Sequence, residues 1–500
     1  MSSAFNGRAS DRPAGVSANG RPGVGGYSSW DEDRESTRYM SARTQMSIPY
    51  ARDVVHRVVS ERFRALAPSY GVDVAVVARW ALSSVRLRAR RDRHLAGLLV
   101  AGIPLFFLLL YLWQWASLLS IVAALAAAWV VVAHEYMQRI NIVCEQMLRG
   151  RFDPSAAPEP ASQRERGRLA MVSKRRTGNL VVFEGNVAFV GSGDRLSKEH
   201  LVIDVSRGRA EASKNGKSPK PSRFTNQDVH AAIISAMEKI GLADLRVEER
   251  LFVNGKHIKD NGAVLPRTKE PPSASVSPEV LQEAVLHPTP DARVYVCVEM
   301  PSWQGQLVVT LFTRAVHVGG SLYIEWRFHV LPPVRSNFQY IDNRWCQPRK
   351  RIIAHVCRSS VRRTGLALFG APVRMWMDHR YASFMRKYER DQAYAIDHGQ
   401  VFDYGAARSI REDASGFARQ HYFLGRDETM FVLLAQEKPI RAISVFLQKK
   451  NVDTGQLKTQ VEVIVKETNK FFSVHLGDVS NSNVAIGKKA QASGVPPRED

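Results

Sequence analysis

The chain has 500 residues, 45% of them hydrophobic, which is long enough for two or three domains with buried cores. Its 70 lysines and arginines exceed its 48 aspartates and glutamates, giving a formal charge of +22. This excess favours an anionic membrane surface, a polyphosphate or an acidic protein as partner, while solvated arginine-rich faces explain it equally well. Four cysteines exclude a disulfide framework and suit a reducing cytosol.

The first 45 residues are rich in glycine, serine, arginine and aspartate and contain few apolar side chains. Such a segment cannot bury enough apolar surface to offset the loss of chain entropy, so residues 1–45 are predicted to form a disordered tail. The tail lacks the apolar stretch of a cleavable signal peptide. Residues 46–94 carry Val55, Val59 and Phe63 at helical spacing and are predicted to form a helical unit.

Residues 95–133 contain no charged residue. A single helix of this length would be about 58 Å long, roughly twice the thickness of the hydrocarbon core of a bilayer. Divided at Gln114, the stretch gives two segments, 95–113 and 116–133, each about 27 Å long and close to that thickness. The sequence therefore predicts a two-helix transmembrane hairpin with YLWQWAS as its outer turn. A hairpin buried in a soluble protein is the alternative, although uncharged runs of this length rarely serve as soluble cores.

Both flanks of this stretch are basic, and its middle is neutral. By the positive-inside rule we expect both termini in the cytoplasm and predict a multi-pass protein of the cell (inner) membrane. The spans contain no Asp, Glu, Lys, Arg or His, which favours an anchor over a transporter or channel. A cluster of arginines before the first span is expected to attract anionic lipid headgroups. The cluster consists of Arg86, Arg88, Arg90, Arg91 and Arg93.

The segments after the spans are predicted to form an α+β region, with antiparallel strands first and helices after. The clearest strand pattern is SLYIEWRFHVL, where apolar and polar residues alternate after Gly319 and Gly320, which suit a tight turn. In chain order we predict a membrane-proximal helix (134–152), a linker (153–172), a short β-rich segment (173–205), a basic loop (206–224), an α+β segment with a β-meander (225–345), a mainly helical segment (346–472) and a polar tail (473–500). The predicted fold class is an α+β cytoplasmic region, an antiparallel β-meander plus helices, with a two-helix transmembrane hairpin.

The sequence contains no complete local motif for catalysis, cofactor binding or metal binding. GKS at 216–218 forms part of a phosphate-binding loop, but the glycine that such a loop needs at position 211 is Glu211. FVGSGDR offers the backbone N–H groups of Gly191 and Gly193 to an anion, although a plain turn explains both glycines as well. The fourteen histidines and four cysteines lack the spacing of metal ligands. We therefore expect no cofactor and no metal, and we assign no catalytic residue.

A second basic block lies between residues 335 and 380. It is densest at Arg349, Lys350, Arg351, Arg358, Arg362 and Arg363. An anionic membrane surface or an acidic protein would complement this block, whereas a solvated face needs no partner. Nucleic acid is the remaining alternative, because Trp345 and Trp376 lie among the cations and could stack on bases.

Together these features predict a bacterial two-pass inner-membrane protein with a large cytoplasmic region. The lack of a catalytic motif favours a non-enzymatic scaffold or regulatory protein, so a protein partner or a second copy is expected besides anionic lipid. An enzyme whose site is assembled from distant residues is the first alternative, and it requires a cleft that gathers ionisable groups. A membrane-tethered nucleic-acid binder is the second alternative, and its binding would fall steeply with salt.

Overall fold

The computed structural model describes residues 34–208, 220–242, 244–344, 347–416, 422–455 and 457. Within them the chain is mixed α/β, with a helical N-terminal part followed by strands and further helices. The α-helices are α1 (Arg34–Met46), α2 (Ile48–Val54), α3 (Val74–Leu112), α4 (Gln114–Gln146), α5 (Gln163–Arg176), α6 (Asn226–Glu238), α7 (Pro278–Leu286), α8 (Ser336–Arg344), α9 (Arg349–Asp397), α10 (Ile410–Ala414) and α11 (Tyr422–Lys449). A π-helical turn (Val55–Ser60) extends α2, and a 3₁₀ turn (Pro154–Ala156) precedes α5. The strands are β1 (Leu180–Phe183), β2 (Asp194–Asp204), β3 (Arg246–Asn254), β4 (Ala292–Ser302), β5 (Leu307–Val318) and β6 (Ser321–Leu331).

Two long helices, α3 and α4, dominate the N-terminal part. The Asp73 side chain caps α3 by accepting hydrogen bonds from the backbone N–H groups of Ala75 and Val76, at 3.0 and 3.1 Å. From this cap α3 continues for 39 residues. It is rich in alanine, leucine and arginine, which are strong helix formers, so local propensity supports its length.

The chain reverses at Trp113, the single residue between α3 and α4. Its extended backbone, with φ −152° and ψ 106°, ends one helix and precedes the next. Arg91 of α3 then lies 3.6 Å from Glu135 of α4, and Leu95 packs in one cluster with Ala128. The two helices therefore lie side by side in opposite directions.

The spans predicted at 95–113 and 116–133 fall in the second part of α3 and the first part of α4. Both helices are long and apolar enough to cross a membrane. The break lies at Trp113, one residue before the division at Gln114 that span lengths suggested. α4 also continues to Gln146, so the membrane-proximal helix expected after the second span is the end of α4 itself.

Six strands form one sheet in the order β1-β3-β4-β5-β6-β2. β1 pairs with β3 in parallel, and the other neighbouring pairs are antiparallel. β4, β5 and β6 are consecutive both in the chain and in the sheet, and so form an antiparallel meander. Gly319 and Gly320 make the turn between β5 and β6 with φ values of +55° and +84°, which favour glycine.

Both faces of the sheet are covered. On one face α6 and α11 contribute Ile233 and Val432 to a core that includes Val296 of β4. The next residues along the strands point to the other face, where Tyr295 and Phe312 pack in a second core with the chain segment before α3. Because both faces are covered, most of β4 is buried.

Residues 34–45 differ from the prediction of a disordered tail, because they form most of α1. The buried guanidinium of Arg38 lies between the carboxylates of Glu35 and Asp342, at 2.6 and 2.7 Å. These ion pairs satisfy the hydrogen-bond donors of the buried Arg38 side chain. The polar composition of the segment does not indicate that it is buried. Residues 1–33 lie outside the described residues.

Residues 153–172 were expected to form a linker, yet α5 begins inside them at Gln163. Ser162 and Glu165 form a capping box at its start, in which each side chain accepts a hydrogen bond from the other residue's backbone N–H. The capping box thus starts a helix directly after a proline-rich stretch. This segment is therefore a short connection followed by a helix.

The segment predicted to be β-rich, 173–205, contains two strands, β1 and β2. The residues between them, 184–193, form turns because closely spaced glycines there adopt positive φ angles. The described residues after 346 are mainly helical. Residues 209–219 of the predicted basic loop and the chain after 457, including the polar tail, lie outside the described residues.

Candidate membrane-facing surface and internal sites

Large apolar side chains along the outer parts of α3 and α4 are exposed. Val100, Phe107 and Leu119 belong to this surface, and Tyr111 and Trp115 expose 88% and 83% of their area. In water each such side chain costs roughly 1.5–3 kcal/mol relative to burial. An apolar patch of this size on a folded protein marks a surface that contacts something apolar.

The length of this surface matches a bilayer. From Leu95 to Leu112 α3 rises by about 27 Å, and from Gln114 to Ala133 α4 rises by about 30 Å. The hydrocarbon core of a bilayer is about 30 Å thick. No charged residue occurs in either stretch. The outer parts of α3 and α4 are thus a candidate surface for contact with lipid.

Charged side chains are buried at the other end of the two helices. We call this end, residues 91–99 of α3 and 128–139 of α4, the base of the helix pair. Asp92 accepts hydrogen bonds from Arg374 of α9, from Nε at 3.0 Å and from Nη2 at 2.9 Å, and from Arg91 at 2.6 Å. Asp92 thus ties α3 to α9 and balances the charge of two buried or half-buried guanidinium groups.

A second buried carboxylate lies beside the first. Glu135 of α4 pairs with Arg139 at 2.8 Å and with Arg91 at 3.6 Å. Arg139 also donates a hydrogen bond to the carbonyl oxygen of Gln45 in α1, at 3.1 Å. Because Arg91 contacts both carboxylates, α1, α3, α4 and α9 meet in one buried network of charges.

The structure separates the five arginines of the first predicted cluster. Arg91 is buried in the network, Arg88 is half-buried, and Arg86 forms an ion pair with α5. Arg90 and Arg93 are exposed. These two arginines are therefore the members of the cluster that are best placed to contact lipid headgroups.

The six residues of the second predicted cluster lie on the first four turns of α9. All of them are exposed: Arg349, Lys350, Arg351, Arg358, Arg362 and Arg363. The Arg363 guanidinium carbon lies 5.2 Å from the ring centre of Tyr136 on α4. The structure therefore brings this cluster next to the base of the helix pair, although the two clusters are far apart in the sequence.

The glycine-rich turn in FVGSGDR binds a carboxylate of the protein itself. The backbone N–H groups of Gly191 and Gly193 donate hydrogen bonds to Oε1 of Glu412, at 2.7 and 3.0 Å. The Ser409 N–H donates to Oε2 at 3.2 Å. Burial raises the pKa of the Glu412 carboxyl above its ordinary value. The two glycine N–H groups are thus already used, and no pattern in the sequence points to Glu412 as their acceptor.

Ser192 and His329 are distant in sequence and in contact in the fold. His329 Nδ1 lies 2.9 Å from Ser192 Oγ, and this hydroxyl donates a hydrogen bond to the Phe189 carbonyl at 2.6 Å. Ser192 is fully buried, and burial lowers the pKa of His329 to about 4. A serine nucleophile must reach its substrate and give its proton to the histidine. Because this serine does neither, we interpret the pair as structural.

A cavity of about 210 Å³ lies between segment 65–75 and the β1–β3 edge of the sheet. Four arginines line it: Arg175, Arg176, Arg246 and Arg250. Arg250 pairs with Glu299 at 2.5 Å, and Arg175 donates to the Pro272 carbonyl at 2.6 Å. Burial lowers the pKa of Arg175 to about 9. The cavity is positive, but its arginines are engaged with groups of the protein.

Over the described ranges, no group of three or more histidine, cysteine, aspartate or glutamate side chains is arranged to hold a metal ion. Cys144, Cys297 and Cys357 form no disulfide with one another, and burial raises the pKa of the Cys297 thiol. A buried thiol with a raised pKa is a poor nucleophile and a poor ligand.

Residues 198–485 match the family model of the AbeC-like domain, which is more than half of the chain. The chain belongs to this family. The AbeC-like domain begins inside β2 and includes β3 to β6 and α6 to α11. It therefore includes α9, the helix whose Arg374 binds Asp92 at the base of the helix pair. No curated protein and no solved structure matches the chain.

Proposed function

We propose that this protein is a two-pass protein of the cell (inner) membrane, in which α3 and α4 cross the bilayer as a hairpin and the AbeC-like domain lies in the cytoplasm. The exposed, uncharged surface of α3 and α4 carries the proposal. Contact with acyl chains removes the cost that this surface has in water. The meeting of two helices of bilayer length at one residue, Trp113, supports the hairpin.

The proposed orientation rests on charge. The chain enters and leaves the apolar stretch at the base of the helix pair, where Arg91 and Glu135 are in contact. Arg90 and Arg93 are exposed near this end, and so is the basic start of α9. Lysine and arginine next to a span favour the cytoplasmic side. We therefore assign both termini to the cytoplasm and expect anionic lipids at the inner surface.

Within this topology, we assign the protein a scaffold or regulatory role with a protein partner or a second copy. The spans have no Asp, Glu, Lys, Arg or His for transport, the Ser192–His329 pair is buried, and the glycine-rich turn is filled by Glu412. A membrane-tethered enzyme is the alternative if the arginine-lined cavity takes a substrate. A membrane-tethered nucleic-acid binder is the alternative if the basic start of α9 contacts phosphates.

Labelling of introduced cysteines in intact cells tests the topology. Trp113→Cys and Val401→Cys, made in a background without the four native cysteines, place thiols at two exposed positions. A membrane-impermeant maleimide is expected to label Trp113→Cys in intact cells and Val401→Cys only after permeabilisation. Labelling of both from the same side would overturn the hairpin, and the reverse pattern would overturn the orientation.

Purification of the full-length protein in mild detergent tests the role. A scaffold or regulatory protein is expected to retain a defined partner, or a second copy, in a fixed ratio. Nucleic acid that is retained at low salt and released as the salt is raised would instead favour the nucleic-acid binder. A bound nucleotide or metabolite would favour the enzyme. The same purification from cells that express the untagged protein controls for adventitious retention.

A further inference from the structure

The 49-residue helix α9 lies across the base of the helix pair rather than along it. Near its start, the carbonyl oxygen of Cys357 accepts a hydrogen bond from Trp129 Nε1 at 3.4 Å. Further along, Ala371 packs with Leu95 and Ala128. Cys357 and Ala371 are separated by about 21 Å along the helix axis. Since both stretches of α9 contact the base of the helix pair, α9 lies across it.

The other side of α9 carries a row of exposed apolar residues, which we call the α9 stripe. The stripe consists of Leu366, Phe369, Val373, Trp376 and Phe384. Leu366 and Phe369 expose 82% and 67% of their area. Their spacing of three to four residues, with one longer step, keeps them on one side of the helix, while Ala367 and Ala371 face α3 and α4.

Basic residues border the α9 stripe. Arg362 and Arg380 are exposed, and the Arg380 guanidinium carbon lies 4.8 Å from the ring centre of Trp376. An apolar face with tryptophan and flanking arginines is the composition of helices that lie in a membrane interface.

The length of the apolar part of α9 also fits an interface. Residues 365–377 contain one charged side chain, Arg374, which is bound to Asp92 on the packed side. A stretch of this length is too short to cross a bilayer as a helix and is typical of interfacial segments. It lies beside Leu98 and Leu99 of α3, at the level where the uncharged stretch begins.

We propose that the α9 stripe inserts into the cytoplasmic leaflet, at the boundary between headgroups and acyl chains, with Arg362 and Arg380 among anionic headgroups. The inference rests on the proposed function, because it requires α3 and α4 to cross the bilayer. Lipid is the occupant because the stripe adjoins the surface of α3 and α4 that faces acyl chains and is bordered by cations. The AbeC-like domain is then held against the membrane by its own helix as well as by the chain connection.

Dye-labelled cysteines in nanodiscs of phosphatidylcholine and phosphatidylglycerol test this placement. Full-length protein without native cysteines carries an environment-sensitive dye at one introduced cysteine at a time. Phe369→Cys and Val373→Cys report on the α9 stripe, and Phe107→Cys reports on the span. Val318→Cys, at the exposed turn between β5 and β6, is the matched control for an apolar residue that faces water. Because all four side chains are exposed, the dye leaves the packing of the core intact.

Two quenchers distinguish whether each dye lies in lipid or in water. Bromine-labelled lipid is expected to quench positions 107, 369 and 373 severalfold more than position 318, and iodide in water is expected to show the reverse order. Lipid quenching at 107 with iodide quenching at 369 and 373 would overturn the α9 proposal and leave the membrane anchor in place. Absence of lipid quenching at 107 would overturn the proposed function itself. Protection of 369 and 373 from both quenchers would show that protein, such as a second copy, covers the stripe, and would also overturn the proposal.

Discussion

The base of the helix pair buries a network of charged side chains, whereas the six-stranded sheet buries mainly apolar ones. At the base, the carboxylates of Asp92 and Glu135 are buried among guanidinium groups, while apolar residues further along the same helices are exposed. In the sheet, Val296 and Phe312 are fully buried, and both faces are covered by apolar cores. The difference shows that apolar content alone does not decide whether a segment is buried. In the proposed membrane topology the medium decides its position, because acyl chains accept apolar surface and exclude charge.

The charged base is expected to be the most sensitive part of the molecule. Asp92→Ala removes the carboxylate that balances Arg374 and Arg91, and it should destabilise the fold by about 3–5 kcal/mol because buried guanidinium groups lose their counter-charge. Asp92→Asn, which keeps the shape and loses the charge, should show most of the same effect. Denaturation of the detergent-solubilised full-length protein, followed by circular dichroism, measures both. A loss below about 1 kcal/mol would mean that packing, and not charge, holds the base together.

A glycine in the sheet part is expected to give the next largest effect. Gly191 has a φ of +93°, and a Cβ there would clash with the carbonyl oxygen of Pro68. Gly191→Ala should therefore destabilise the fold by at least about 2 kcal/mol. Gly185→Ala, at a φ of +62° with open space around it, is the control and should cost about 1 kcal/mol. Equal losses in the same denaturation measurement would contradict the close approach at Gly191.

The stability of the sheet part is expected to depend on pH through His329. Burial lowers the pKa of His329 to about 4, so the folded state prefers the neutral ring. Its contribution to stability is complete above the ordinary histidine pKa near 6.5 and is lost as the pH falls from there toward 4. Wild type should lose about 2 kcal/mol more than His329→Gln between pH 7 and pH 4.5, because the glutamine side chain cannot be protonated. Parallel curves for the two proteins over this range would contradict burial of the neutral ring.

An exposed ion pair on α9 is expected to give the smallest effect and serves as the control for Asp92. Asp378 accepts hydrogen bonds from Arg52 at 2.7 and 3.0 Å, and both side chains are about half exposed. Asp378→Ala should cost less than about 1 kcal/mol, and the cost should shrink further as salt is added. A loss as large as that of Asp92→Ala would remove the distinction between the buried base and the protein surface.

Local patterns explain which parts of the fold could be predicted from the sequence. The uncharged run at 95–133 indicates two apolar helices without knowledge of any contact, and the alternation in SLYIEWRFHVL marks β6. The start of α5 also has a local signal, the capping box of Ser162 and Glu165. These features depend on neighbours within a few residues.

Long-range partners explain what could not be predicted. α1 is polar, and its burial depends on the ion pair of Arg38 with Asp342. Arg374 appears in the sequence as one cation of a basic block, yet it is bound to Asp92 on a distant helix. Glu412 likewise fills the glycine-rich turn from far along the chain. Each contact depends on the assembled fold, and a single sequence gives no pattern for it.

The positions of β1 and β2 link the sheet mechanically to the helical part. α5 ends at Arg176 and β1 starts at Leu180, so the chain passes from the helical part into the sheet over a connection of three residues. β1 then forms one edge of the sheet, and β2, the next strand along the chain, forms the opposite edge. A connection of three residues allows little movement of α5 relative to β1. A displacement of α5 would therefore reach β1, at one edge of the sheet, directly, whereas the ten residues 184–193 separate β1 from β2 at the other edge.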